Sequence, residues 1–212
     1  MVALNVISHT RERDTMKFAE MKKVVIIGSS ASGKSTLARK LSVLLRLDVI
    51  HLDALYWQPG WVRTPLAEWS GVLADLVQQD RWVIEGNYLE TLDIQLAAAD
   101  TIIFLDLPRS LCLWRAIKRR VTYLGRSRSD AAPNCFDYLS WHLLRTIWLY
   151  PDVKRPLVLQ QVTQTASDKQ VIILRQPAEV YQFLEGIAYH SLSFSHILNG
   201  SPCLQGRFLR YC

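Results

Sequence analysis

Residues 28–35 read Gly28-Ser29-Ser30-Ala31-Ser32-Gly33-Lys34-Ser35, and no other stretch constrains the chain as tightly. Two glycines spaced this way, then a lysine and a hydroxyl, form the pattern by which a loop wraps its backbone around phosphate oxygens. The glycines let successive N–H groups converge, and the following helix offers its positive N-terminal end. Lys34 adds a point charge near the β and γ phosphates, and Ser35 supplies a hydroxyl for Mg²⁺. The predicted cradle for ATP or GTP therefore comprises Gly28, Ser29, Ser30, Ala31, Ser32, Gly33, Lys34, Ser35 and Thr36. A serine- and glycine-rich turn capping a helix is the competing reading. It accounts for Gly28 and Gly33 but not for a lysine followed directly by Ser35 and Thr36.

The flanking residues supply the context such a loop needs. Val24-Val25-Ile26-Ile27 is short, apolar and β-branched, as a buried parallel strand should be. Beyond the loop, Leu37, Leu41, Leu44 and Leu45 recur at helical spacing, which predicts a helix from Lys34 to about Arg46. The alternation continues. Strands are predicted at Leu47–Leu52, Arg81–Ile84, Thr101–Leu105 and Val171–Leu174, and helices at Pro65–Gln79, Leu92–Ala98, Ser110–Tyr123, Phe136–Tyr150, onward to about Thr163, and Ala178–Ala188. Such a series implies an α/β fold: a mostly parallel sheet of five strands covered by helices on both faces.

With 212 residues, half of them hydrophobic, the chain can bury one core without disulfide staples. The regular pattern bounds one domain at residues 21–188, preceded by an extension (1–20) expected to be flexible and followed by a tail (189–212) to which no element is assigned. The first twenty residues carry His9, Arg11, Glu12, Arg13, Asp14, Lys17 and Glu20 without a sustained apolar block, so no secretory signal is expected. No apolar run reaches the roughly 18 residues that span a bilayer. Cys112, Cys135, Cys203 and Cys212 are too scattered for a metal site and too few for a disulfide framework, which predicts reduced thiols and a cytoplasmic location. A net charge of +6 favours anionic partners: nucleotides, phosphorylated metabolites or nucleic acid.

Ligands of open α/β sheets bind outside the carboxyl ends of the strands. Three predicted strands end on acids there: Asp53, Glu85 and Asp106. Glu85 is the candidate to hold Mg²⁺ through water, with Ser35. Asp53 either accepts a proton from an acceptor hydroxyl or caps a turn. Asp106, before Leu107-Pro108, is expected to end its strand and cap the next helix.

Arg115, Arg119, Arg120, Arg126 and Arg128 gather on one helix and the loop after it, and their planar forks suit phosphate. A basic lid is expected here, with Arg119 and Arg126 neutralising charge on the transferring phosphoryl group; a solvated basic face is the alternative. Tyr56, Trp57, Trp61 and Trp69 either wall an acceptor pocket or pack in the core. The histidines, His51 and His142 among them, show no metal-ligand spacing and read as ordinary residues.

Four stretches carry a family resemblance: Ile26 to Ala38, His51-Leu52-Asp53-Ala54-Leu55-Tyr56-Trp57, Arg81-Trp82-Val83-Ile84-Glu85-Gly86-Asn87-Tyr88, and Ala99 to Pro108. They resemble the adenylate-kinase-like P-loop proteins of the DNA topology modulation (FlaR-related) family, over about residues 22–150. The resemblance implies a nucleoside-kinase-like three-layer sandwich with a five-stranded parallel sheet and a short basic lid. It also implies that Gly28 to Thr36 bind the triphosphate and that Glu85 helps place Mg²⁺, although the family more often has aspartate at that position.

Two functions follow as expectations. One is a kinase that moves the γ-phosphoryl of ATP to an unidentified small acceptor, with Lys34, Asp53, Arg119 and Arg126 in the catalytic machinery. The other is a nucleic-acid-associated ATPase or nucleotide-switched binding protein. No helix-turn-helix, zinc or RNA-binding signature is visible, which favours the kinase.

Overall fold

The computed structural model describes residues 18–122 and 140–199. Strand β1 (Lys23–Gly28) runs through the glycine loop into helix α1 (Lys34–Leu45). Strand β2 (Val49–His51) leads at once into a short helix α2 (Leu52–Tyr56), a hairpin of β3 (Trp57–Gln58) and β4 (Val62–Arg63), and α3 (Leu66–Leu76). There follow β5 (Trp82–Glu85), α4 (Leu92–Ala98), β6 (Thr101–Leu105), α5 (Arg109–Thr122), α6 (Trp141–Thr165), β7 (Gln170–Leu174) and α7 (Pro177–Asn199).

The main sheet has the order β2-β5-β1-β6-β7, and every pairing in it is parallel. Its strands are nearly continuous apolar runs because both faces are covered, and successive side chains point to opposite faces. Val25 and Ile27 therefore pack with Trp82, Ile84 and Phe104 against α3, α4 and α6, through Trp69, Leu73, Leu92, Leu96 and Val158. Val24 and Ile26 pack with Val83, Ile103 and Leu105 against α1 and α7, through Leu37, Leu41, Phe183 and Ile187. The result is the predicted three-layer α/β sandwich. No helix among the described residues is long and apolar enough to cross a membrane.

The structure departs from the sequence reading in three places. The second strand stops at His51 instead of running to Leu52, so Asp53 lies in the first turn of α2 and not at a strand end. Leu52 and Tyr56, four apart, both bury, and that helical spacing outweighs the strand alternation before it. The two helical stretches expected around Tyr150 are one helix, α6, with Pro151 and Pro156 inside it. Each proline removes a backbone donor. Burial of Ile147 beside Cys112 and Ala116, and of Tyr150, Val158 and Val162 in the core against the sheet, holds the helix in place across both, and Ser140 caps its start by accepting from the Leu143 N–H at 3.0 Å. Finally, α7 continues to Asn199, past the end expected near Ala188. Upstream, a single 3₁₀ turn, Phe18–Glu20, rests on α7 with Phe18 and Phe183 ring centroids 6.1 Å apart.

Candidate functional site

The strand order brings the carboxyl ends of β2, β5, β1 and β6 side by side, with the glycine loop leaving the central strand β1. Gly28 is the cross-strand partner of Leu105, has φ +147°, and a Cβ there would stand 2.6 Å from the Leu105 carbonyl oxygen. Only glycine permits this turn. Gly33, at φ +103°, is the N-cap of α1 and releases the helix N-terminus toward the loop. Lys34 Nζ donates to the carbonyl oxygens of Gly28 (3.2 Å) and Ser29 (3.0 Å), lying across the loop that precedes it. Ser32 Oγ is buried and has no hydrogen-bond partner among the described residues. An orphaned hydroxyl inside a glycine cradle at a helix N-terminus fits a phosphate ligand.

Ser35, one residue into α1, donates to Glu85 Oε1 at 2.8 Å. The same oxygen lies 2.8 Å from His51 Nδ1, because parallel pairing of β2 with β5 makes His51 and Glu85 register partners. Glu85 is buried. Burial by itself pushes its carboxyl up, but the His51 hydrogen bond, the Lys34 charge and the Ser35 hydroxyl outweigh that and hold it below the usual carboxylate value. An ionised carboxylate and a hydroxyl at the mouth of the loop are hard oxygen donors, the set that Mg²⁺ accepts alongside phosphate oxygens.

Asp53 lies on the exposed side of α2 and accepts a 2.6 Å hydrogen bond from the Tyr88 hydroxyl. Burial, and then the charge of Asp53, push the Tyr88 phenol far up, so it stays a proton donor to that carboxylate. Glycine loop, Glu85, Asp53 and Tyr88 all line one cleft of about 1340 Å³. That is larger than the roughly 300–1,000 Å³ typical of a single small-ligand site.

No protein-family model matches the chain, and no curated protein matches it. Among solved structures, the chain is similar to the shikimate kinase from Acinetobacter baumannii in complex with shikimate: 16% identity over 84% of this chain and 96% of that one, with a TM-score of 0.55. The chain has a P-loop kinase fold. A gluconokinase from Sinorhizobium meliloti 1021 aligns at 17% identity over 83% of this chain and 97% of that one, with a TM-score of 0.47. For a sugar kinase from Janibacter sp. HTCC2649 the figures are 18%, 85%, 97% and 0.40.

Within this P-loop kinase fold the remaining candidate residues separate. Arg115, grouped in the sequence with the lid arginines, lines the cleft and also braces the loop: its Nη1 donates to the Ser32 carbonyl at 2.7 Å. Arg119, on the next turn of α5, lines the cleft. Arg126, Arg128 and the rest of the predicted lid lie outside the described residues. Asp106 does not cap α5; its carboxylate is taken by Arg155, with Arg175 Nε at 3.7 Å. The aromatic cluster divides too. Trp69 is a core residue, in edge contact with the buried Tyr56 at 5.1 Å, whereas Tyr56, Trp57 and Trp61 all line the cleft. Cys112 is a buried free thiol.

Three site residues carry no signal of their own in the sequence. His51 reads as an ordinary strand histidine until β2 pairs with β5. Tyr88 sits at the end of the quoted stretch Arg81 to Tyr88, but its role requires α2 to present Asp53. Lys154 reaches the cleft only because α6 runs unbroken through its prolines.

Proposed function

We propose that the chain is a kinase that transfers the γ-phosphoryl group of ATP to the hydroxyl of a small acceptor. The observation that carries this reading is the 2.8 Å contact between Ser35 Oγ and Glu85 Oε1 at the mouth of the glycine loop, in the same cleft as Asp53. Loop N–H groups and Lys34 hold the triphosphate, and the helix N-terminus of α1 favours its charge. Ser35 and Glu85 are the residues that would hold Mg²⁺, which when bound neutralises charge on the phosphate oxygens. Asp53, positioned by Tyr88, takes the proton of the acceptor hydroxyl as its oxygen bonds to the γ-phosphorus. The bond from that phosphorus to the β–γ bridging oxygen breaks, and ADP leaves with the electron pair. Arg119, which lines the cleft, and Arg126 are the residues proposed to offset charge on the moving phosphoryl group.

The resemblance to the adenylate-kinase-like DNA topology modulation family supports the same reading, as does the size of the cleft, which accommodates two ligands. The experiment is a phosphorylation screen of a metabolite library with labelled ATP, read by mass spectrometry. It is run on the full chain and on Lys34→Ala, in which ATP binding is expected to be lost with the thermal transition unchanged. Undiminished ATP affinity in Lys34→Ala, or bound ATP with no transfer to any acceptor, would defeat the proposal.

A further inference from the structure

We propose that Arg63 and Lys154 form an anion subsite in the acceptor half of the cleft, selecting acceptors that carry a carboxylate or phosphate on a flat, ring-like body. The word acceptor rests on the kinase reading above; the anion preference rests on the observations that follow.

Both side chains line the cleft that contains the glycine loop, but from elements that play no part in that loop. The β3–β4 hairpin brings in Arg63, and α6 brings in Lys154. Arg63 is the register partner of Trp57, and its guanidinium lies 5.9 Å from the centroid of the Trp57 ring. Trp57 and Trp61, with ring centroids 5.4 Å apart, continue the aromatic wall beside it. A cation mounted on an aromatic face is the arrangement that receives a planar anion: the ring packs on the indole, and the charged group meets the guanidinium fork.

Neither cation is paired with a carboxylate among the described residues. Of the acids lining the cleft, Asp53 accepts from Tyr88, Glu85 is taken by Ser35 and His51, and Glu90 forms no ion pair with either cation. Lys154 is also under strain from its own kind. Partial burial, then the charges of Arg63 and of Lys34, push its ammonium below the ordinary lysine value. Lys34, Arg63 and Lys154 are three of the eight described lysine and arginine side chains that line the cleft; neighbouring cations repel each other, and a bound anion relieves that repulsion. Lys34 already serves the glycine loop, through the Gly28 and Ser29 carbonyls. Arg63 and Lys154, held on the hairpin and on α6, are a pair that the loop does not use. The Asn87 side-chain oxygen, from another residue lining the cleft, is buried with no hydrogen-bond partner among the described residues and can accept from the body of that ligand.

The test uses the full chain and three probes of like shape: benzoate, phenyl phosphate and the neutral benzyl alcohol, titrated by ligand-observed NMR. At least one anion is expected to bind saturably, roughly tenfold tighter than the alcohol, and the better of the two identifies the charged group. Arg63→Ala and Lys154→Ala are each expected to weaken that anion by roughly tenfold and to leave ATP affinity within about twofold. Equal binding of the alcohol, anion binding indifferent to both substitutions, or no saturable anion binding would overturn the subsite. So would a loss of ATP affinity as large as the loss of the anion, since the two cations would then serve the nucleotide. Failure of the kinase reading looks different: anion binding persists and no acceptor is phosphorylated. Failure of the subsite alone appears as transfer to neutral acceptors.

Discussion

Arg155 grips Asp106 with both prongs of its guanidinium, Nε on Oδ1 at 2.7 Å and Nη2 on Oδ2 at 2.8 Å. Asp106 directly follows β6, and Arg155 lies one turn beyond Tyr150 on α6, so the fork ties that helix to the carboxyl edge of the sheet where the cleft opens. The hydrogen bonds to Asp106 raise the Arg155 guanidinium above its ordinary value, against a smaller opposing effect of burial.

Arg155→Ala is expected to destabilise the fold by about 1–2 kcal/mol, the lower part of the range for charge-assisted bonds because Arg155 is partly open to solvent. Asp106 would keep only Arg175, at 3.7 Å. Denaturant unfolding of Arg155→Ala, Asp106→Asn and the double variant measures the coupling. Strictly additive losses would show that the fork contributes nothing.

Gly28→Ala tests the close approach of the loop to β6. The new Cβ would meet a backbone oxygen at 2.6 Å in a conformation that side-chain-bearing residues rarely adopt, so neither partner can yield by rotating a side chain. A loss of about 2 kcal/mol or more is expected, together with weakened ATP binding, since the cradle itself must shift. A stability equal to wild type by denaturant titration would contradict the turn described here.

The parts legible in the sequence are those that local pattern determines. Val24 to Ile27 announce a strand because a run buried on both faces must be apolar throughout, and Gly28 to Ser35 announce the loop because its chemistry depends on spacing within eight residues. Glu85 was legible as an acid following an apolar run. His51 was not: nothing around it distinguishes a ligand-shell histidine, and only the register of β2 on β5 places it against Glu85. The hold of Arg115 on the loop was not legible either, because only tertiary packing brings its guanidinium to the Ser32 carbonyl. The sequence around Tyr150 reads as two helical stretches, since local propensity cannot register the buried contacts that keep α6 one helix through Pro151 and Pro156.

Asp53 and Tyr88 separate chemistry from positioning. Asp53→Asn keeps the shape but cannot take a proton, so kcat should fall by about 10²–10⁴ with ATP affinity retained. Tyr88→Phe removes the 2.6 Å hydrogen bond that orients the carboxylate and keeps the ring packed 4.1 Å from Tyr56. Its kcat should fall by less, roughly tenfold, with KM for ATP unchanged. Undiminished transfer in Asp53→Asn would return that residue to a capping role.

The buried tyrosines predict an alkaline limit to stability. Burial, then the charge of Asp106, push the Tyr150 phenol above its ordinary value near 10, and Tyr88 is displaced the same way by burial and Asp53. A group raised in the fold holds its proton there after the unfolded chain has released it. Its contribution is therefore complete below about pH 10 and is lost as pH rises toward the folded value, at about 1.4 kcal/mol per pH unit for each such group. Tyr150→Phe keeps the ring in the α6 core and removes one titrating group, so its stability should fall less steeply above pH 10 than that of wild type, with little difference between the curves near neutrality. Denaturant unfolding at successive alkaline pH values decides it: parallel curves for the two proteins would mean that Tyr150 titrates alike folded and unfolded.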